Sequence, residues 1–209
     1  MNEKVKEVLE WVYCIVIALV LALLFRYFIG TPTIVKQRSM YPTLKDGQRL
    51  ILSRTFRITH NYPEVGDIIT FEAPDKKYSP WQADQTNPVA IFKESSKNVF
   101  SNFRYYVLES GKTSYIKRVI ALEGDHVKIE GGKVYVNGKE FEEPYLAEDV
   151  TTKSDVFNDF IVPTGYVFAM GDNRDYSDDC RVFGCIPLNK IEGKVMIRFW
   201  PLSEFGGIK

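Results

Sequence analysis

The chain is short of the residues that hold metals. It carries three cysteines and two histidines among 209 residues. There is no CxxC pair, and His60 and His126 are far apart, so a zinc site has no spacing to rest on. Neither sign of charge is in excess. The formal net charge is +0, and no global field draws in nucleic acid. Repeats and low-complexity tracts are missing, and no helical stripe of useful length follows residue 29. A DNA-binding helix pair and a fold that alternates strands with helices are therefore not in view. The balance is that of a globular chain, 45% hydrophobic and 26% charged. Its length suits one ordinary domain with an anchor, or two small ones.

One long apolar run is present. After a polar tail of mixed charge at 1–10, residues 11–29 read WVYCIVIALVLALLFRYFI. Apart from Arg26 the run is apolar for about the length that crosses a hydrocarbon core. Trp11 and Tyr13 at one end, and Tyr27 and Phe28 at the other, suit the two interfaces, and Arg26 is near enough to the end to snorkel. The run leaves through Arg26-Tyr27-Phe28-Ile29 rather than through small residues, which argues against a cleaved leader. It reads as a retained, single-pass anchor in the cell membrane. Lys4 and Lys6 are offset by Glu3, Glu7 and Glu10, and Lys36 and Arg38 follow the run. The positive-inside rule therefore does not set its orientation.

Beyond the anchor the pattern is of short strands bounded by Gly, Pro and Asp. Strands are expected at 33–36, 49–53, 67–71, 115–122, 127–129, 133–136, 139–141, 166–170 and 194–200. Glu130-Gly131-Gly132 and Asn137-Gly138 are hairpin signals. Residues 144–159 read as irregular. Residues 73–114 differ: they are polar, hold Pro80 and Pro88, and turn aromatic at 99–108. They are expected as an insertion with one or two strands of its own. Its aromatics either pack or offer a surface to a membrane or partner. The fold class is mainly β and antiparallel. An anchor at 11–29 precedes a β domain at 30–209, which contains the 73–114 insertion and a β extension at 126–165.

Ser39-Met40-Tyr41-Pro42-Thr43-Leu44 follows the anchor closely. A serine hydroxyl is a weak nucleophile until a base takes its proton. His60 lies in a polar loop and His126 opens a strand, and both read as ordinary histidines. A lysine is the other candidate, provided that burial lowers its pKa, by up to roughly 3–5 units. Lys117 stands out because Tyr115, Ile116, Val119 and Ile120 make its strand apolar, although an edge-strand lysine is the plainer reading. On a strand, Lys117 and Arg118 point to opposite faces, so one can be buried while the other is solvated or salt-bridged. Residues 171–181 are rich in Asp, Asn and Ser and suggest a calcium loop. However, Arg174 and Tyr176 stand where oxygens are needed, and the central glycine is missing. Asp–Arg pairing suits the loop better. Neither a metal nor a cofactor is expected.

In their order, these stretches resemble the bacterial type I signal peptidases, the Ser-Lys dyad serine peptidases of the S26 family. The resemblance covers roughly residues 10–200 and rests on the anchor followed by SMYPTL, VGDIITF (65–71), YIKRVIALEGD (115–125), VYVNGK (134–139) and MGDNRDYSDDCRVFGCIP (170–187). It implies an antiparallel β-sheet catalytic domain of signal-peptidase type with one N-terminal transmembrane helix. The implied activity is a membrane-bound serine endopeptidase that removes signal peptides from exported pre-proteins after Ala-X-Ala. The resemblance maps the nucleophile to Ser39, its base to Lys117 and a lysine-orienting hydroxyl to Ser177. Supporting polar residues map to Arg118, Asp172, Asp179 and Arg181. The Ser39 backbone N–H is one oxyanion donor. Relatives carry a serine or glycine two positions earlier, where Gln37 stands here with an amide able to donate. Met40, Leu44, Tyr115 and Ile116 map to shallow pockets for small side chains.

The implied partners are signal peptides and the lipid bilayer, with the secretion machinery as a further candidate and no nucleic acid. The catalytic domain would lie outside the cytoplasm. Cys180 stands where the family has a serine. With Cys185 it reads either as a disulfide or as two small buried residues. A Ser–Lys self-cleaving repressor is one rival, opposed by the anchor and by the lack of a DNA-binding helix pair. A specialised or non-catalytic relative serving surface-pilus assembly is another, opposed by the presence of Ser39, Lys117 and Ser177.

Overall fold

The long apolar run forms helix α1 (Glu3–Phe28), 26 residues that bury none of their side chains. At 1.5 Å per residue it is about 39 Å long, more than a bilayer core requires. It is the one helix among the described residues that is long and apolar enough to cross a membrane, which fits the anchor expected there. Its C-terminal carbonyls are met from the domain. Arg57 Nη1 donates to Tyr27 O at 3.0 Å, and the Arg54 backbone N–H donates to Ile29 O at 2.9 Å. Such partners satisfy groups that a helix end otherwise leaves open.

The computed structural model describes residues 3–93, 98–107 and 111–208. In chain order the strands are β1 (Gly30–Ile34), β2 (Arg49–Ser53), β3 (Ile68–Glu72), β4 (Ser114–Ala121), β5 (His126–Glu130), β6 (Lys133–Val136), β7 (Lys139–Glu140), β8 (Asp159–Ile161), β9 (Tyr166–Met170), β10 (Ile186–Pro187) and β11 (Ile191–Trp200). They make two antiparallel sheets. One has the order β1-β2-β11-β3-β4-β9-β10 and the other β7-β6-β5-β8. The turn joining β6 to β7 is Asn137-Gly138, both with positive φ (54° and 76°). Two such residues give the hairpin turn whose twist matches its strands.

Two apolar clusters hold the sheets. The larger spans both, with Val119, Ile120 and Phe168 from the first sheet and Val127, Ile129 and Phe160 from the second. The smaller gathers Val35, Met40, Leu44, Leu50, Leu52, Ile68 and Val195. It pins the chain on either side of Ser39 to the sheet.

Three expectations change. Residues 144–159 are not wholly irregular, because Asp159 opens β8, which pairs with β5 and buries Phe160. A strand of three residues is too short to show a period of two. The described part of 73–114 holds no strand of its own before β4. It forms a single turn at Pro80–Gln82, helix α2 lying earlier at Phe56–Thr59, then α3 (Val99–Asn102) and a turn at Phe103–Val107. Aromatic residues favour strands only where a neighbouring strand exists to pair with. The segment instead lies along residues 182–185, with Tyr78 N–H donating to Val182 O at 2.8 Å and an isolated bridge between Val89 and Cys185. Leu108, the last residue of the aromatic stretch, lies outside the described residues. Finally, Lys117 is buried, against the edge-strand reading, and Arg118 is the salt-bridged one of the pair, buried against Asp172 at 2.7 Å. Residues 117–121 are all buried.

One detail of β4 matters for the site. Residues 114–121 pair with β3 only as far as Arg118, and β9 pairs with β4 only from Arg118 onward. Residues 114–117 therefore have a strand on one side and no strand on the other among the described residues.

Candidate active site

Ser39 begins a turn that the smaller core holds down. Met40 and Leu44 are 1% and 0% exposed, and Leu44 N–H donates to Met40 O at 2.8 Å. With its neighbour buried, Ser39 is fixed facing β4. Lys117 comes from the open half of that strand. Its Nζ lies 2.7 Å from Ser39 Oγ, although the two residues are 78 positions apart in sequence. Lys117 is 3% exposed and its amine sits 5.6 Å from the centre of the Tyr115 ring. Burial pushes its pKa down to about 8, with the carboxylates of Asp179 and Asp178 pulling the other way. A lysine at that value is partly neutral near physiological pH and able to accept a proton.

The loop after β9 holds the pair in place. Asn173 N–H donates to the Ser39 carbonyl at 3.0 Å, and Asn173 Nδ2 donates to the Arg38 carbonyl at 3.0 Å. Gly171 lets this loop come close: a β-carbon there would overlap both Ser177 Oγ and the Ser39 carbonyl oxygen. Asp172 accepts from Arg118 Nε at 2.9 Å and Nη2 at 2.7 Å, and from Thr43 Oγ1 at 2.5 Å. It thus joins β4, the loop and the Ser39 turn through one carboxylate. Asp179 caps α4 (Cys180–Phe183), accepts the Gly171 N–H at 3.0 Å and takes a two-point bond from Arg181. Burial opposes its ionisation, but the Arg181 guanidinium outweighs this and holds the carboxyl below its usual range. Such forked pairs fix geometry as well as charge.

The structure brings Ser39, Lys117, Tyr115, Ile116 and Gln37 to one groove, a cavity of about 320 Å³. Met40 does not reach it, and Leu44 lies instead at a second cavity beyond Ser39. The reason is the small core, which takes both side chains. Gln37 is exposed, with φ 82°. Its backbone N–H donates to Asp46 Oδ1 at 2.9 Å, so only its side-chain amide remains to serve an oxyanion. Ser177 Oγ is buried beside the site without a hydrogen-bond partner, and the expected bond to Lys117 is not made. Cys180 and Cys185 are free and buried, and burial pushes both thiols up. The reading as two small buried residues is the one observed.

Several braces carry no sequence signal of their own. Thr43 and Asn173 lie inside motifs already noted, but Glu143, which pairs with the buried Arg174, falls between the strand expected at 139–141 and the irregular stretch at 144–159 and belongs to no motif. The family profile described as "Signal peptidase, peptidase S26" matches residues 8–200. The chain belongs to this family. S26 peptidases are serine peptidases, and relatives align over most of the chain. Signal peptidase IB of Staphylococcus aureus is 33% identical over 215 aligned positions, covering 96% of this chain and 93% of that protein. A probable signal peptidase I-1 of Synechocystis is 35% identical over 196 positions, covering 92% and 82%. A solved signal peptidase I from Enterococcus faecalis is 27% identical with a TM-score of 0.38, covering 63% of this chain and 95% of that one.

Proposed function

We propose that this chain is a type I signal peptidase that cuts pre-proteins with Ser39 as nucleophile and Lys117 as its base. The observation that carries this is the buried 2.7 Å contact between Lys117 Nζ and Ser39 Oγ, with the lysine held down at about 8. Neutral Lys117 takes the proton of Ser39 as Oγ attacks the peptide carbonyl, and then gives it to the leaving amine as the C–N bond breaks. Lys117 then takes a proton from water, the hydroxide attacks the acyl carbonyl, and the bond to Ser39 Oγ breaks as that proton returns to Oγ. The Ser39 backbone N–H has no partner among the described residues and is one donor for the oxyanion, with the Gln37 side-chain amide as the second. Ser177, whose hydroxyl is buried and unpartnered, makes no bond to Lys117, and its role in orienting that amine rests on the resemblance alone.

The groove also suits its substrate. The open edge of residues 114–117 faces the segment 36–39, leaving room for one extended peptide that adds as a strand. Main-chain bonds then give affinity while side pockets give selectivity. Tyr115 and Ile116, half-buried beside Ser39, favour small residues before the cut, as in Ala-X-Ala. The anchor places this site at the bilayer, and we place the domain on its outer face, where signal peptides of exported chains emerge. The test is cleavage of an Ala-X-Ala peptide by the full-length protein in detergent. Ser39→Ala and Lys117→Met are each expected to lower kcat by several orders of magnitude. Undiminished cleavage by either variant would end the dyad reading.

A further inference from the structure

Ser39 lies between two cavities. The groove of about 320 Å³ extends from it along β4 to Lys112. On the other side, a cavity of about 600 Å³ is lined by Arg38, Tyr41, Leu44, Lys45, Asn173 and Tyr176, with Asp46. Tyr176 lines both and is 78% exposed, a ridge between them. The two ends are not equivalent. Lys112, at the far end of the groove, also lines a cavity whose walls include Tyr27 and Phe28, the last residues of the anchor. That end of the groove opens toward the membrane.

This gives the substrate a direction. A signal peptide has its apolar segment in the bilayer, so the chain ahead of the cut enters from the Lys112 end. The chain behind the cut must then leave past Tyr176. We propose that the 600 Å³ cavity receives the first residues of the mature protein, and that Arg38 there favours acidic side chains. The proposal rests on the dyad reading above.

The charges support the choice. The Arg38 guanidinium is exposed and has no partner among the described residues. Lys45 Nζ is already paired with Glu204 at 3.2 Å and contributes less. Asp46 is the one carboxylate of the lining, and its Oδ1 is taken by the Gln37 N–H at 2.9 Å. Tyr41 and Tyr176 offer flat walls to whatever side chain lies between them. The Arg38 carbonyl is fixed by Asn173 Nδ2, so the side chain starts from a rigid point immediately before the nucleophile.

The test uses full-length protein in neutral detergent and three peptides. Each carries the same Ala-X-Ala segment, followed after the cut by a stretch with Gln, Glu or Lys at its second and third positions. The Glu peptide is expected to exceed the Lys peptide in kcat/KM by about two- to fivefold, the range of an exposed ion pair. The ratio is expected to fall toward one in about 1 M salt, where charges are screened within roughly 3 Å, and to invert in Arg38→Glu. Equal rates in the native protein, a preference for Lys, or a ratio unchanged in Arg38→Glu overturns the assignment. Cleavage of the Gln peptide that survives Ser39→Ala would instead overturn the dyad, which separates the two failures.

Discussion

On the dyad reading, Lys117 alone sets the working range. Burial costs a charged amine more than a neutral one, so its pKa falls to about 8. If the neutral form is the base, kcat/KM rises with pH and levels off above about 8. Asp178 pulls the pKa upward, so Asp178→Asn is expected to move the rising limb to lower pH, as read from a pH–rate profile. The same shift acts on stability. Below about 8 both folded and unfolded chains hold the proton, and the folded state bears the full cost of a buried ammonium. Between about 8 and the ordinary value of 10.5 the folded chain binds fewer protons, and stability rises with pH. Lys117→Met is therefore expected to raise stability near neutral pH by up to about 3 kcal/mol, with the gain shrinking as pH approaches the ordinary lysine value. Urea denaturation at a series of pH values measures this. On the dyad reading, a native protein less stable than its Lys117→Met variant is the usual trade at a catalytic site.

At the scale of elements, the loop of residues 171–179 carries the geometry. Asp172→Ala would leave Arg118 buried and unpaired, and is expected to cost about 3–5 kcal/mol in denaturant titration. Gly171→Ala is expected to cost about 1–3 kcal/mol by overpacking and to lower kcat more than it raises KM, because it pushes on Ser177 and Ser39 together. Much of this layer was legible beforehand. The strands at 49–53, 133–136 and 166–170 appear with those bounds, because each is an apolar run closed by turn residues. Ser39 and Lys117 stood out by type and setting, but only the fold closes the gap between them. The misses share a cause. Met40 and Leu44 look the same in sequence whether they line a groove or fill a core. Glu143 meets Arg174 through a fold-level contact. The aromatic stretch from 99 on has strand-like composition but forms helical turns over 99–107.

At the scale of the molecule, the anchor and the sheet are one unit. Arg54 and Arg57 bind the helix end, and β1 starts two residues after α1 stops. Tethering raises the effective concentration of a membrane-borne substrate. Residues 30–209 alone are expected to cut a short soluble peptide within a few-fold of the full chain. On a pre-protein held in vesicles the same fragment is expected to fall by roughly 100-fold or more. Gel-based cleavage of both substrates reads the difference.

The bare edge of β4 has a further consequence, for solubility. A row of unpaired backbone donors and acceptors will join any extended chain, including a second copy of the same protein. Here the slot is narrowed by the facing segment, and the exposed Lys36 and Arg38 on that segment would meet the same two cations on an approaching copy. If that repulsion guards the edge, strong salt is expected to promote pairing of empty molecules, and a peptide filling the edge to prevent it.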